Sequence, residues 1–300
     1  MRAVQFARYG GPDVLAVVDA EKPHPGPGEV RVASRAAGVQ QVDAKIRAGY
    51  LQAFMPVQLP LISGWDAAGI VDEIGDGVQG VAVGDRIFGS GREAYAEHVV
   101  LTAWAPMPDG LSFDEAAGYP GSVATAVRIL YEIGVRTGEV LLVSGASGGA
   151  GSAVLQLARE RRIAVVATAS AGNQDYLRSL GATATTYGEG LIDRVRLLAP
   201  GGVDAALDLA GSGVLPDLVE LTGDPGKVLT IADMNATAHG VRFSGEDADS
   251  AAAYAEAARL FREASFTIPV QATYPLERAG EAQARSAAGH ARGRIVLTVT

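Results

Sequence analysis

The chain of 300 residues contains no cysteine. That excludes disulfides, thiolate metal ligands and a cysteine nucleophile. Histidine is scarce as well: His24, His98, His239 and His290 are the whole set, and none falls in an H-x-x-x-H or HExxH spacing. A catalytic zinc site draws mainly on such donors, so no zinc is expected. Basic residues are outnumbered, 25 Lys and Arg against 34 Asp and Glu, for a net charge of −9. That balance disfavours nucleic acid and anionic membranes as partners, since both call for a basic patch. The densest basic run, 159–162, is interrupted by Glu160 and falls at the end of an expected helix, where cations suit the dipole. No apolar run approaches the roughly 20 residues of a membrane span, and the first residues have no signal-peptide core. A soluble cytoplasmic protein is the expectation.

What is present reads as globular. Hydrophobic residues make up 48% and charged residues 20%, enough apolar side chain for a sizeable core in one or two domains. Residues 1 to about 120 are β-rich, with candidate strands at 3–6, 14–18, 30–37, 69–74, 86–88 and 94–100 and one short helix near 42–48. Turn residues punctuate them closely, as in Gly10-Gly11-Pro12 and Gly75-Asp76-Gly77, which suggests a small barrel. From about Thr125 the rhythm changes. Apolar runs at 140–143, 164–167, 205–209 and 228–231 alternate with helical patterns at 122–133, 152–161, 173–180, 190–198, 215–221 and 250–263. Alternating β and α predicts an α/β fold with a doubly wound parallel sheet. The last residues, 294–300, read as a strand able to rejoin the first domain.

The run at 140–143 leads into a turn with Gly145, Gly148 and Gly151 spaced three apart, and then into a helical apolar set. Strand, tight glycine turn and helix together can cradle a pyrophosphate. Backbone N–H groups approach the phosphate oxygens, and the helix N-terminus adds positive partial charge. Ser147, Gly148, Gly149, Ala150 and Gly151 are the residues placed for this. The spacing is G-x-x-G-x-x-G, so its position after a strand carries the reading. The second nucleotide strand ends in Ala167, Thr168, Ala169 and Ser170, with no carboxylate before Asp175. A site for NAD usually places an acid there for the ribose 2′-hydroxyl. A small hydroxyl end instead leaves room for a 2′-phosphate, with Ser170, Asn173 or Arg178 as donors, so NADPH is expected over NADH. Ser170 also reads as a plain helix N-cap.

Segments along nearly the whole chain resemble the medium-chain dehydrogenase/reductase superfamily in its zinc-free quinone oxidoreductase (zeta-crystallin-like) branch. Segment 38–50 (GVQQVDAKIRAGY) is similar to the first active-site segment of that family. Segments 64–69 (GWDAAG) and 83–86 (VGDR) resemble its barrel core, and 95–97, 111–117 and 138–143 its approach to the nucleotide fold. The glycine turn, 204–211 and 293–297 match later landmarks.

The resemblance implies a GroES-like catalytic domain, 1–121 completed by 264–300, beside a Rossmann nucleotide-binding domain, 122–263. It places the ligand in a cleft between them and implies a homodimer formed through the nucleotide domain. Gln40 stands where the family usually has Asn, near nicotinamide and substrate. Thr125 and the backbone of Ile231 are implied near the nicotinamide, and Tyr187 near the adenosine. Each has a plainer reading: a helix-start hydroxyl, a core side chain and a half-buried strand aromatic. Tyr50 and Tyr119 are the candidate proton donors, or else pocket wall. Asp43 reads as a first-turn helix charge. Asp66 has a structural or a functional reading, and Asp208 stands at a strand end where it can hold the cofactor loop. The implied reaction is hydride transfer from NADPH to a quinone or another conjugated carbonyl, with neither metal nor nucleic acid involved. An enoyl or 2-alkenal reductase, of the kind used in polyketide tailoring, stays open beside it. So does a cofactor-binding protein without redox turnover.

Overall fold

A computed structural model describes residues 1–245, 249–289 and 291–300; His290 lies outside the described residues. The first strands are β1 (Arg2–Phe6), β2 (Leu15–Asp19), β3 (Val30–Val39), β4 (Leu61–Ile62), β5 (Asp66–Ile74), β6 (Arg86–Gly91) and β7 (His98–Pro106). Next come β8 (Val140–Ser144), β9 (Ala164–Thr168), β10 (Thr183–Thr185), β11 (Ala205–Asp208), β12 (Val228–Thr230) and β13 (Arg242–Phe243). The last are β14 (Val270–Pro275) and β15 (Arg294–Thr298). The helices are α1 (Gln41–Arg47), α2 (Phe113–Ala117), α3 (Pro120–Ile133), α4 (Gly149–Glu160), α5 (Gln174–Ser179), α6 (Leu191–Leu198), α7 (Leu215–Thr222), α8 (Ser250–Arg262) and α9 (Ala279–Ala287).

The chain divides into two compact units, Met1–Gly121 with Asp249–Thr300, and Ser122–Ala248. In the first, one sheet runs β14-β15-β3-β5-β6-β7, and β7 also pairs with β3, which closes the ring as a small barrel. Alternate side chains point inward (Val30, Val32, Val71, Ile87, Val99 and Leu101) and form its core. The terminal strand β15 pairs antiparallel with β3, Ile295 opposite Val39. A second sheet runs β2-β1-β4, and a bridge from Ala3 to Ala96 ties it to the segment that leads into β7.

In the second unit the sheet order is β10-β9-β8-β11-β12-β13. Every pairing in it is parallel. Counted from its own first strand this is 3-2-1-4-5-6, the Rossmann order, with the reversal between β8 and β11. A parallel sheet must be covered on both faces, and its strands are correspondingly apolar throughout: Leu141, Leu142, Val143, Ala206 and Leu207 are all buried.

Three sequence expectations shift. Helix α8, expected in the nucleotide domain, belongs to the first unit, which resumes at Asp249 and not at 264. The reason is aromatic packing: Tyr254 lies 6.0 Å from Phe88, and its hydroxyl donates to Ser90 Oγ at 2.8 Å. The strand expected at 94–100 is His98–Pro106. Ala94 and Tyr95 are drawn off instead by bonds to the carbonyls of Gly64 and Ser63. Helix α4 begins at Gly149, three residues earlier than apolar periodicity suggests, because the extended Gly148 already serves as its N-cap.

Candidate active site

In the second unit the three loop glycines do three different jobs. Gly145 follows β8 at φ 80°, a left-handed conformation that admits a tight turn, and a Cβ there would lie 3.0 Å from Ala210 Cβ. Gly148 has nothing within 4 Å of where its Cβ would be, so its backbone is open to approach. At Gly151 a Cβ would lie 2.5 Å from the Ala146 carbonyl oxygen, so only glycine lets α4 close onto its own loop. Ser152 anchors that turn by donating to Gly148 O at 2.8 Å and meeting Tyr176 at 2.7 Å. The first N–H groups of α4, at Gly149, Ala150 and Gly151, have no partner within the helix, with Ser147 just ahead of them. Donors and helix dipole together suit an anionic pyrophosphate.

The neighbouring strand ends are braced by one carboxylate. Asp208 is fully buried. Its Oδ1 accepts from Ala210 N and Gly211 N, both at 3.0 Å, and its Oδ2 from Thr230 Oγ1 at 2.8 Å. Thr230 Oγ1 in turn accepts from Ala232 N and Asp233 N at 3.0 Å. The loops after β11 and β12 are thereby tied together, and Asp208 is used up in the bracing. Ile231, half-buried, donates its N–H to Asp208 O at 3.1 Å. At the end of β9, Ser170 Oγ accepts from Asn173 Nδ2 at 3.3 Å, and Asn173 is buried. Arg178 is paired with Asp175 at 2.7 Å on the surface. Tyr187 lies two residues beyond β10 and is half-exposed, while Thr125 is half-buried on α3.

In the first unit Gln40 ends β3's extension and opens α1. Its backbone N–H donates to Asp43 Oδ2 at 2.8 Å, which makes Asp43 the first-turn charge that the sequence suggests. The Gln40 side chain lies against Gly121, where a Cβ would fall 2.4 Å from Nε2. That side chain also caps the Asp43 backbone N–H, and its amide helps to hold the Asp66 carboxylate ionised. Asp66 is buried, and its Oδ2 accepts from Gly121 N at 3.0 Å and from Arg294 at 3.1 Å. Its Oδ1 has no partner of good hydrogen-bond geometry.

Burial pushes the Asp66 carboxyl up to about 6, against the pull of Arg294, the Gly121 N–H and the Gln40 amide. Burial likewise pushes Asp43 up to about 7, against its bonds from Gln40 N and the Tyr95 hydroxyl, with Asp66 adding repulsion and Arg294 attraction. Tyr95 is fully buried and donates to Asp43 Oδ2 at 2.8 Å. Sequence reading passed over Tyr95 and Arg294 as members of this cluster. They are 52 and 228 residues from their carboxylate partners, so no local pattern carries the link.

The two tyrosines part company. Tyr119 is 1% exposed, packed edge-on against Phe88 at 5.9 Å and Phe266 at 5.4 Å. Its hydroxyl is engaged by Ile268 and Thr267, and burial raises its pKa far above the ordinary phenol value. Tyr119 is therefore a core residue, which corrects its reading as a proton donor. Tyr50 is 78% exposed, three residues past the end of α1. Its phenol and the Gln40 amide flank a helix of seven residues, about 10 Å long at the usual rise. His98 pairs with Asp72 at 3.0 Å on the barrel wall and belongs to a structural ion cluster with Arg31 and Lys22.

Among the described residues no group of three or more His, Cys, Asp or Glu is placed to hold a metal ion. With cysteine absent from the chain, no thiolate is on offer as a metal ligand. Among the same residues no helix is long and apolar enough to cross a membrane.

Residues 26–132 match the alcohol dehydrogenase GroES-like domain, and residues 180–297 match a family described as zinc-binding dehydrogenase. The chain is 32% identical to the quinone oxidoreductase of Rattus norvegicus over 241 residues, 77% of this chain and 73% of that protein. It is 38% identical over 208 residues to the pikromycin polyketide synthase component PikAII of Streptomyces venezuelae, 63% of this chain but 5% of that protein. The chain spans about half the length of the first curated relatives it matches, such as the mouse synaptic vesicle membrane protein VAT-1 homolog-like, at 34% identity over 69% of this chain and 51% of that one. A mycobacterial protein solved in complex with NADPH superposes over 100% of both chains with a TM-score of 0.88 and 27% identity. The chain thus belongs to the medium-chain dehydrogenase/reductase superfamily, with a quinone oxidoreductase among its relatives.

Proposed function

We propose that the chain is an NADPH-dependent reductase that works without zinc and delivers hydride to a quinone or another conjugated carbonyl acceptor. The observation that carries this reading is the division of labour among Gly145, Gly148 and Gly151 at the point where the sheet order reverses. Bound NADPH supplies the hydride. The N–H groups of Gly149, Ala150 and Gly151, with Ser147 and Gly148 beside them, hold the pyrophosphate. Ser170 and Asn173 receive the 2′-phosphate, where the absence of a carboxylate before Asp175 spares it repulsion. Tyr187 flanks the adenosine, and Thr125 and the backbone of Ile231 hold the nicotinamide end. Gln40 offers an N–H to the acceptor carbonyl as negative charge develops there. The exposed Tyr50 phenol is the remaining side-chain proton donor. No step needs a metal, because conjugation already lowers the barrier to hydride addition. The NADPH-bound mycobacterial neighbour and the rat quinone oxidoreductase support the cofactor and the acceptor class. A cytoplasmic homodimer completes the reading.

A second reading, reduction of an enoyl thioester or 2-alkenal, is favoured by the 38% identity to a polyketide synthase component. The deciding experiment is nicotinamide fluorescence titration with NADPH and NADH side by side, followed by a panel of quinones, enones and enoyl thioesters. Tighter binding of NADPH with quinone turnover is expected. Turnover confined to enoyl thioesters selects the second reading. Binding without turnover on any acceptor turns the chain into a cofactor-binding module. Failure to bind either nucleotide removes the reductase reading altogether.

A further inference from the structure

Two buried carboxylates meet at Gln40, and they are not equivalent. Asp43 holds its backbone N–H at 2.8 Å, which fixes where the residue begins. Asp66 addresses the side chain. The amide of Gln40 lies against the backbone of Gly121, whose own N–H is held by Asp66 Oδ2 at 3.0 Å. Arg294, reaching from the terminal strand β15, sits 3.1 Å from that same oxygen. The other oxygen, Oδ1, is buried and unmatched. A buried carboxylate oxygen without a partner is costly and calls for a reason.

An ionised carboxylate can only accept hydrogen bonds, whereas an amide has one end that donates and one that accepts. Facing Asp66, Gln40 must present Nε2. That choice fixes the amide flip. One N–H points at the carboxylate, the carbonyl oxygen caps the backbone N–H of Asp43, and the second N–H is left for a ligand. We propose that Asp66 is a positioning residue for Gln40: its carboxylate, kept charged by Arg294, works with the Asp43 N–H to set which end of the Gln40 amide meets the acceptor carbonyl. This rests on the reductase reading only for its kinetic consequence; the orientation itself is a property of the first unit alone. Loss of the charge on Asp66 removes one of the two bonds that hold this orientation and leaves only the cap on the Asp43 N–H. The groups facing Asp66 are Arg294 from β15, the Gly121 N–H, the Gln40 amide, Asp43 from α1 and Tyr254 from α8. Of these Arg294 alone carries a positive charge. Asp66 is itself pushed into a range where it titrates, so the orientation should be sensitive to pH near 6.

The test begins with ¹⁵N-labelled protein without ligand, the Gln40 side-chain amide being identified by its loss in Gln40→Leu. One Nε2 proton should resonate downfield of a free amide at pH 8, move upfield as pH falls through about 6, and stay fixed in Asp66→Asn. An amide signal indifferent to pH in the wild-type protein overturns the proposal, and that measurement needs no variant of Asp66. Steady-state kinetics supply the second arm. Asp66→Asn should lower kcat about tenfold while leaving NADPH binding within twofold. Gln40→Asn should lower it similarly. The double variant Gln40→Asn/Asp66→Glu, which moves one methylene across the contact, should recover most of the loss. Additive losses in the double variant would refute the contact. Should no acceptor turn over, the reductase reading fails, yet the amide titration still decides whether Asp66 orients Gln40.

Discussion

Asp208 and Asp66 are both buried aspartates at a β-strand terminus, one in each unit, and they differ in how completely they are matched. Asp208 accepts from two backbone N–H groups and a threonine hydroxyl, using both oxygens. Asp66 concentrates its partners on Oδ2 and leaves Oδ1 unmatched, and with Asp43 it forms a pair whose Oδ1 atoms are both unmatched. A fully satisfied carboxylate makes a rigid bracket. A partly satisfied one stores free energy that a proton or a neighbouring amide can release. The nucleotide unit is thus built around a fixed frame, and the barrel unit around a cluster that responds to its surroundings.

The sharpest way to break that contrast is Asp208→Ala. It strips the acceptor from Ala210 N, Gly211 N and the Thr230 hydroxyl at once. Stability should fall by roughly 3 kcal/mol or more, read as a lower urea midpoint, and NADPH affinity should fall with it because the loop beside Gly145 loses its brace. A midpoint within experimental error of wild type would show that Asp208 is not the bracket described.

Much of the frame was legible from sequence because its determinants are local. The glycine turn, the apolar strands and the helix periods all lie within a few residues of one another. Even the early start of α4 follows from Gly148 being able to cap it. The barrel cluster was not legible in the same way. Asp43 revealed its capping role by its place three residues after Gln40, yet its bond from Tyr95 spans 52 residues. Tyr119 looked like a phenol at a site because of its neighbours in sequence. Its fate was decided by Phe88, Phe266 and Thr267, which come together only in the folded unit. The assignment of α8 failed for a related reason: helical periodicity says that a face is buried, not against which sheet.

The next test is one of pH. The Asp43 carboxyl is raised in the folded state to about 7 from 3.8. Between those values the folded protein holds a proton that the unfolded chain has released. The associated stability is complete below pH 3.8 and is lost as pH rises through about 7. Asp43→Asn, which stays neutral, should flatten this dependence and gain on the order of a few kcal/mol relative to wild type between pH 4.5 and 8. Urea unfolding at the two pH values reads it directly. An Asn variant with the wild-type pH slope would mean that Asp43 does not titrate in this window.

Tyr95→Phe is the smallest change and the most selective. It deletes one hydrogen bond to Asp43 Oδ2, and that bond is among the contacts that favour the ionised carboxylate. Its loss should cost about 1 kcal/mol, and should push the Asp43 titration to still higher pH. The cost must therefore be greater at pH 8, where the charge is left with one donor fewer, than at pH 5, where the acid is protonated. In the Asp43→Asn background the pH dependence of the Tyr95→Phe cost should vanish, because the charge it served is gone. A cost that stays equal at both pH values in the wild-type background would place Tyr95 with Asp208, as a plain structural partner, and would leave Asp66 alone as the titrating group beside Gln40.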